Sequence, residues 1–118
     1  MEGSEFGGRR HVRVGYSGGT VTVRCNLSGP FLPGSLIDIS ISGCLILMQD
    51  PLPVTPSQVI ELHFDLNSLA FRVLGFVRHA RKPRQIGVEF HHLSEQARSD
   101  LEGFIDYFAP AGVNVLQP

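Results

Sequence analysis

The feature of this chain that most constrains its fold is the strict alternation of apolar and polar residues over short runs. From Val59 to Leu66, apolar side chains occupy every second position and alternate with Glu61, His63 and Asp65. Residues 20–27 alternate in the same way. Because successive side chains of a β-strand point to opposite faces, a period of two predicts half-buried strands. We therefore expect a mostly β protein.

Further strand-like runs are separated by residues that favour turns. The predicted strands are a basic first strand around residues 9–16, a hairpin over 34–48, a run over 69–78 and a last run over 85–91. Asn67-Ser68 is a two-residue link of the kind that closes a hairpin. Residues 28–34 and 50–57 are rich in turn formers and predict loops, and residues 81–84 predict a basic turn.

The predicted hairpin contains the most chemically suggestive stretch, Asp-Ile-Ser-Ile-Ser-Gly at residues 38–43. Simple alternation places Asp38 and Ser40 on one face together with Leu36, and isoleucines on the other. A carboxylate and a hydroxyl beside a glycine turn can form a polar binding edge. Taken alone, the same pattern also fits a hairpin whose polar residues face water.

After Ser94 the apolar period changes to that of a helix. The apolar positions are 97, 101, 104, 105 and 108, with Ser94 as the predicted N-cap and Glu95 at the positive end of the helix dipole. The sequence Ala-Pro-Ala-Gly at residues 109–112 predicts the end of the helix. Roughly six short antiparallel strands followed by one amphipathic helix indicate a small barrel or sandwich.

The length of 118 residues fits one domain with a real core, which we place at residues 9–109. Residues 1–8 include Gly-Ser-Glu-Phe, which is typical of a cloning linker, and we expect a flexible N-terminus there. Residues 110–118 are expected to form a loose C-terminal tail.

Composition narrows the classes of function. A formal net charge of -1 argues against a surface built to neutralise nucleic-acid phosphates. No apolar run is long enough to cross a membrane and no signal peptide is visible, so we expect a cytoplasmic protein without direct membrane insertion. Cys25 and Cys44 match no metal spacing; two buried free thiols are favoured, with one disulfide as the alternative.

Motifs of catalysis are missing from the sequence. It contains no Gly-x-Ser-x-Gly, His-Glu-x-x-His, Walker-type or dinucleotide-binding pattern. The adjacent His91 and His92 would point to opposite faces of a strand end, which does not favour a metal site. We expect no catalytic residues, no metal and no cofactor.

Arginine is unusually prominent among the basic residues, since only Lys82 of the ten is a lysine. Arg9, Arg10 and Arg13 lie within five positions, and in an extended segment Arg9 and Arg13 project to the same side. Two guanidinium groups on one side can bind a phosphodiester or the O6 and N7 acceptors of guanine. A solvated basic terminus explains the cluster equally simply when it is taken alone.

Arg-x-x-x-Arg at residues 9–13, followed by Asp-x-Ser-x-x-Gly at residues 38–43, resembles the paired motifs of the PilZ domain family. The resemblance extends to Gly75-Phe76-Val77, to Ile-Gly-Val-Glu-Phe at residues 86–90 and to the closing helix. It covers nearly all of the chain from Arg9 to about Phe108. It implies a six-stranded antiparallel β-barrel of the split-barrel type with one C-terminal amphipathic helix.

The resemblance also implies a ligand, the bacterial second messenger cyclic di-GMP. The residues implied to bind it are Arg9, Arg10, Arg13, Asp38, Ser40 and Gly43, with possible secondary contacts from Ser42, Gly75, Arg78 and His79. The arginines would pair with phosphates and stack on guanines, while Asp38 would accept from guanine N1–H and N2–H. Ordering of the arginine segment would signal to a linked effector domain or a partner protein. The chain departs from the family at His79, where many members carry tryptophan.

Two other functions compete with this hypothesis. The first is an adaptor with the same fold that binds no nucleotide and acts through protein contacts. The second is a single-stranded nucleic-acid barrel with a basic edge of Arg78, Arg81, Lys82 and Arg84, against which the near-neutral charge and scarce exposed aromatics argue. The sequence is compatible with a free-standing bacterial receptor and with the cytosolic domain of a larger protein.

Overall fold

The structure, a computed structural model, describes residues 13–16, 19–26, 28–82, 84–108 and 115–116. This part of the chain forms eight strands and one helix. In chain order they are β1 (Arg13–Gly15), β2 (Thr20–Arg24), β3 (Leu32–Ile39), β4 (Gly43–Met48), β5 (Val59–Leu66), β6 (Leu69–Lys82), β7 (Gln85–Phe90), α1 (Glu95–Phe108) and β8 (Val115–Leu116).

Six of these strands close into an antiparallel barrel. Around the ring the order is β2, β5, β6, β7, β4 and β3, and pairing between β2 and β3 closes it. β1 adds to the far end of β3, and β8 adds to β1. The predicted six-stranded antiparallel barrel with a single C-terminal helix is confirmed.

The core follows the alternation seen in the sequence. The inward side chains of β5 are all buried: Ile60, Leu62, Phe64 and Leu66. The helix contributes Leu101, Phe104 and Ile105 to the same core. Burying each such side chain stabilises the fold by about 1.5–3 kcal/mol. The Tyr16 ring meets the edge of Phe104 at a centroid distance of 5.2 Å, which places α1 beside the end of β1.

Two local predictions are confirmed in detail. Asn67 and Ser68 join β5 to β6 with φ angles of 50° and 73°, as a tight hairpin turn with two left-handed residues requires. Ser94 caps α1, because its Oγ accepts a hydrogen bond of 3.1 Å from the backbone N–H of Ala97.

The limits of β2 and β3 differ from the prediction. β2 ends at Arg24 rather than at residue 27, and Leu27 lies outside the described residues. β3 begins at Leu32, so Pro33 and Gly34 belong to a strand and not to a loop. A Cβ at Gly34 would make a tight contact of 3.0 Å with the carbonyl oxygen of Leu47. Close approach of β4, rather than a turn, explains this glycine.

A β-bulge corrects the predicted faces of the hairpin. Leu36 pairs with Ile46, and Asp38 pairs with Leu45, so Ile37 is an extra residue between them. Leu36 and Ile39 are both buried in the core as a result. The prediction that Leu36 shares a face with Asp38 is wrong, because the extra residue reverses the alternation between them.

The last strands also differ at their ends. β6 runs to Lys82, which shortens the predicted basic turn at 81–84, and its register with β7 shifts on both sides of His79. β7 ends at Phe90, one residue earlier than predicted. Within the predicted loose tail, Val115–Leu116 forms a short strand on β1. In the described part of the chain, no helix is long and apolar enough to cross a membrane.

Candidate functional site

The candidate site begins where β1 pairs with β3. Val14 lies opposite Ile39 and both are buried, whereas Gly15 lies opposite Asp38. Because alternate residues of a strand share a face, Arg13 projects on the same side as Gly15 and therefore on the side of Asp38. The pairing of β1 thus joins the arginine segment to the strand that carries the aspartate.

Arg13 and Asp38 form an ion pair. Arg13 Nη1 donates to Asp38 Oδ1 at 2.7 Å, which is the length of a strong charge-assisted hydrogen bond. The Asp38 side chain is only 9% exposed, whereas that of Arg13 is 40% exposed. The carboxylate is therefore largely removed from water and depends on Arg13 for compensation, while the guanidinium can still reach solvent.

The turn after β3 is built around Ser40. Its backbone N–H donates to the carbonyl oxygen of Gly43 at 2.8 Å, and its Oγ lies 3.1 Å from Ser42 Oγ. The Ser42 N–H donates to Ser40 Oγ at 3.3 Å. Ser40 is 1% exposed, so its hydroxyl holds the shape of the turn beside Asp38. Contact of Ser40 or Ser42 with a ligand stays a prediction.

Gly43 lies where β4 passes very close to β7. A Cβ at this position would overlap the carbonyl oxygen of Val88, and one at Gly75 would overlap Val88 Cγ1. The Phe90 N–H donates to the Ser42 carbonyl at 2.8 Å and fixes the turn against β7. Both predicted glycines are thus required by packing, whether or not a ligand also approaches them.

A strip of side chains and backbone continues from Asp38 across the outside of the barrel. Asp38 pairs with Leu45, Leu45 with Gly87, and Gly87 with His79. Since neighbouring strands are about 4.8 Å apart, the strip spans roughly 14 Å. The His79 ring lies against the backbone of Gly87, where it would overlap any Cβ. An imidazole therefore covers Gly87 at this end of the strip.

Of the remaining predicted ligand contacts, one is described by the structure and two are not. Arg78 lies near this strip and pairs with Glu89 at 3.2 Å, with both side chains well exposed. Arg9 and Arg10 lie outside the described residues, so their part in the site stays a prediction. Sequence reasoning missed Leu45 and Gly87, which only the register between β4 and β7 brings into line with Asp38.

Cys44 lies directly beneath the ion pair, on the inner face of the barrel. Burial raises the pKa of its thiol, the nearby Asp38 carboxylate raises it further, and Arg13 opposes that rise. Burial also raises the pKa of the half-buried Cys25 thiol. Both cysteines are free, as the favoured sequence interpretation held, although Cys25 is less buried than predicted. A raised thiol pKa makes a nucleophilic role for Cys44 unfavourable.

Among the described residues, no group of three or more His, Cys, Asp or Glu side chains is arranged to hold a metal ion. The hydrogen-bonding groups that the site presents are a guanidinium, which donates, a nearly covered carboxylate, which accepts, and turn hydroxyls. These groups can recognise an anionic ligand that also carries hydrogen-bond donors.

The sequence matches a known protein family, and the fold is similar to solved structures. The family model of the PilZ domain matches residues 8–107. The fold is similar to the PilZ domain with c-di-GMP of YcgR from Escherichia coli, with a TM-score of 0.67, 13% identity, and coverage of 85% of this chain and 91% of that one. It is also similar to the PilZ domain of CeSA from a cellulose-synthesizing bacterium, with a TM-score of 0.63, 15% identity, and coverage of 79% and 93%.

A third similar structure is the Bacillus subtilis inhibitor of motility MotI/DgrA. The TM-score is 0.69 at 14% identity, and the match covers 81% of this chain but 48% of that protein. This chain therefore spans about half the length of MotI. A comparison with curated protein sequences gave no significant match.

Proposed function

The chain belongs to the PilZ domain family, and from this premise we propose that it is a receptor domain for cyclic di-GMP. The observation that carries the proposal is the 2.7 Å ion pair between Arg13 and Asp38. It joins the arginine motif to the aspartate motif on one face of the barrel. In the solved structure of the YcgR PilZ domain, a domain of this fold is seen with cyclic di-GMP.

The chemistry of the ligand matches the groups that the site presents. Cyclic di-GMP carries two phosphates and two guanines. Asp38 can accept from guanine N1–H and N2–H, and Arg13 has five N–H donors for a phosphate oxygen or for guanine O6 and N7. In our proposal guanine N–H groups donate to the Asp38 carboxylate in place of Arg13, and the Arg13 guanidinium then donates to the ligand. One ion pair is thereby exchanged for two charge-assisted contacts.

The proposed signal is a change in the arginine segment. Arg13 is the first residue of β1, and Arg9 and Arg10 lie four and three residues before it. Binding of phosphate by Arg9 and Arg10 would order this segment over the ligand and present a new surface to a linked effector domain or a partner protein. Because the ligand is a bacterial intracellular messenger, we place this activity in the bacterial cytoplasm.

The proposal predicts that Arg13→Ala and Asp38→Ala each weaken cyclic di-GMP binding by about tenfold or more, since each removes hydrogen bonds to a charged group. Titration calorimetry on the intact protein and on each variant measures the effect. Arg98→Ala is the matched control, because Arg98 is exposed on α1, outside the candidate site. Full affinity in both site variants would contradict the assignment of the site.

One observation favours an adaptor function as a second candidate. Asp38 pairs with Arg13, and Ser40 is engaged in its turn, so other groups of the protein satisfy these polar side chains. An adaptor would act through protein contacts alone. It predicts that partner binding persists unchanged in Arg13→Ala and is insensitive to added cyclic di-GMP, whereas a receptor predicts that the nucleotide changes it.

A further inference from the structure

A second ordered group of side chains lies on the opposite side of the barrel from the candidate site. In the ring, β2, β5 and β6 are opposite β7, β4 and β3. We call the outer face of β2, β5 and β6 the distal wall. Its two central rows are Arg24–Glu61–Leu74 and Thr22–His63–Arg72.

The middle of the distal wall is held rigid by Glu61. Its Oε1 accepts from Arg24 Nη2 at 2.6 Å and from Arg24 Nε at 3.1 Å, and its Oε2 lies 2.8 Å from His63 Nε2. The Arg24 guanidinium lies over the Phe31 ring, 4.5 Å from its centroid, and that ring also contacts His63. Side chains that are already fixed lose little entropy when a second surface covers them.

Beside this cluster lie two opposite charges that form no ion pair within the described part of the chain. Arg72 and Asp65 are both exposed, and neither forms an ion pair with any described residue. Arg72 pairs in register with His63, and Asp65 pairs with Ala70, so the two are diagonal neighbours on one face, roughly 7–8 Å apart. Leu74, which is 42% exposed, follows Arg72 on the same face of β6, and Val59, which is 48% exposed, lies at the start of β5.

We propose that the distal wall is an interface between two copies of this chain related by a twofold axis. Across such an axis, Arg72 of each copy lies against Asp65 of the other, because a residue pair repeats itself with the roles exchanged. The adjacent apolar side chains and the fixed Arg24–Phe31 stack supply the kind of surface that protein interfaces use. A formal net charge of -1 leaves little repulsion between two copies.

The balance of charge on the wall is what selects a second copy as the occupant. One unpaired cation and one unpaired anion make the wall complementary to itself. A strongly acidic partner would be repelled by Asp65, and a nucleic acid would be repelled by the same carboxylate. The candidate ligand face lies on the other side of the barrel and stays open in this dimer, so the inference does not depend on the proposed function.

The test is sedimentation equilibrium of the full chain with charge-swap variants. The protein should dimerise in a concentration-dependent manner, and Asp65→Arg or Arg72→Asp should each raise the dimer Kd by about tenfold or more, because two attractive contacts become repulsive. The double variant D65R/R72D should recover the affinity, and an equimolar mixture of the two single variants should form the heterodimer.

Two charge changes on α1 serve as controls for the dimer experiment. Asp106→Arg and Arg98→Asp change exposed charges on α1 and should leave the dimer Kd unchanged. Circular dichroism verifies that each variant is folded. A protein that stays monomeric at high concentration would overturn the proposal. A dimer that tolerates either single swap would also overturn it, as would association only after addition of an oligonucleotide or another protein.

Discussion

Gly43 shows how backbone packing determines a residue in the candidate site. The β4 and β7 backbones are so close here that a side chain at residue 43 would collide with the Val88 carbonyl. We predict that Gly43→Ala lowers the free energy of unfolding by about 1–3 kcal/mol, because the strands must separate to admit a methyl group. Chemical denaturation measures the change.

Gly103 provides the control for this substitution. It lies within α1, and a Cβ there would meet no atom within 4 Å. Gly103→Ala should therefore raise the free energy of unfolding by about 0.5–1 kcal/mol through helix propensity. Equal effects of the two substitutions would contradict the packing explanation for Gly43.

The hydrogen bonds of Glu61 should make the free energy of unfolding depend on pH in the acid range. Hydrogen bonds from Arg24 and then from His63 lower the pKa of the Glu61 carboxyl below its ordinary value of 4.5. A lowered folded-state pKa contributes stability above the unfolded-state pKa, and that stability is lost as pH falls through the folded-state pKa. We predict that Glu61→Gln is less stable than the natural protein at neutral pH.

The difference between the two proteins should shrink as the pH falls from about 4.5 through the lower folded-state pKa, because the unfolded state is protonated first and the folded carboxyl afterwards. Urea denaturation across a pH series measures it. Glu102→Gln, on the exposed face of α1, should track the natural protein at every pH. A Glu61→Gln difference that is constant with pH would show that the carboxylate charge is not responsible.

The residues of the site were predictable to different degrees. The two short motifs that carry Arg13 and Asp38 could be recognised in the sequence, whereas the contact between these residues depends on the pairing of β1 with β3. The assignment of Ser40 and Gly43 to ligand contact stays a prediction, and the structure adds that the turn and the neighbouring β7 also depend on them. Leu45 and Gly87 could not be found, because cross-strand register is absent from a single sequence.

Among the elements, the β5–β6 hairpin has an unfavourable backbone conformation in its turn, at Ser68. Ser68 has a φ of 73°, a region that glycine occupies without strain. We predict that Ser68→Gly raises the free energy of unfolding by up to about 1 kcal/mol, since an Asn-Gly turn suits this geometry better. Thermal or urea denaturation measures it. Ser68→Ala keeps the Cβ and should give no gain; a gain from both would point to the serine hydroxyl instead.

The strands that were predicted best are those whose limits follow from local sequence pattern alone. β5 was predicted with both of its ends, because apolar alternation and a tight turn define it without help from other strands. β3 was predicted less well, since its bulge at Ile37 and its close contact with β4 at Gly34 depend on the register between the two strands of the hairpin. Contacts between paired strands, rather than the propensity of single residues, determine those features.

For the whole molecule, barrel closure separates two surfaces. One face carries the Arg13–Asp38 pair and the strip to His79, and the distal wall carries the Glu61 cluster with Arg72 and Asp65. In our proposals the nucleotide binds to the face that carries Arg13 and Asp38, and a second copy of the chain binds to the distal wall. A dimer of this kind would present two ligand sites that face away from the interface.

Calorimetric titration of the intact protein with cyclic di-GMP tests the central claim most directly, with GTP as the matched guanine nucleotide. We predict saturable binding of cyclic di-GMP in the micromolar range or tighter and much weaker binding of GTP, because GTP presents one guanine and no cyclic pair of phosphodiesters to the arginine segment. Absence of binding at tens of micromolar protein, or equal affinity for the two nucleotides, would contradict the account.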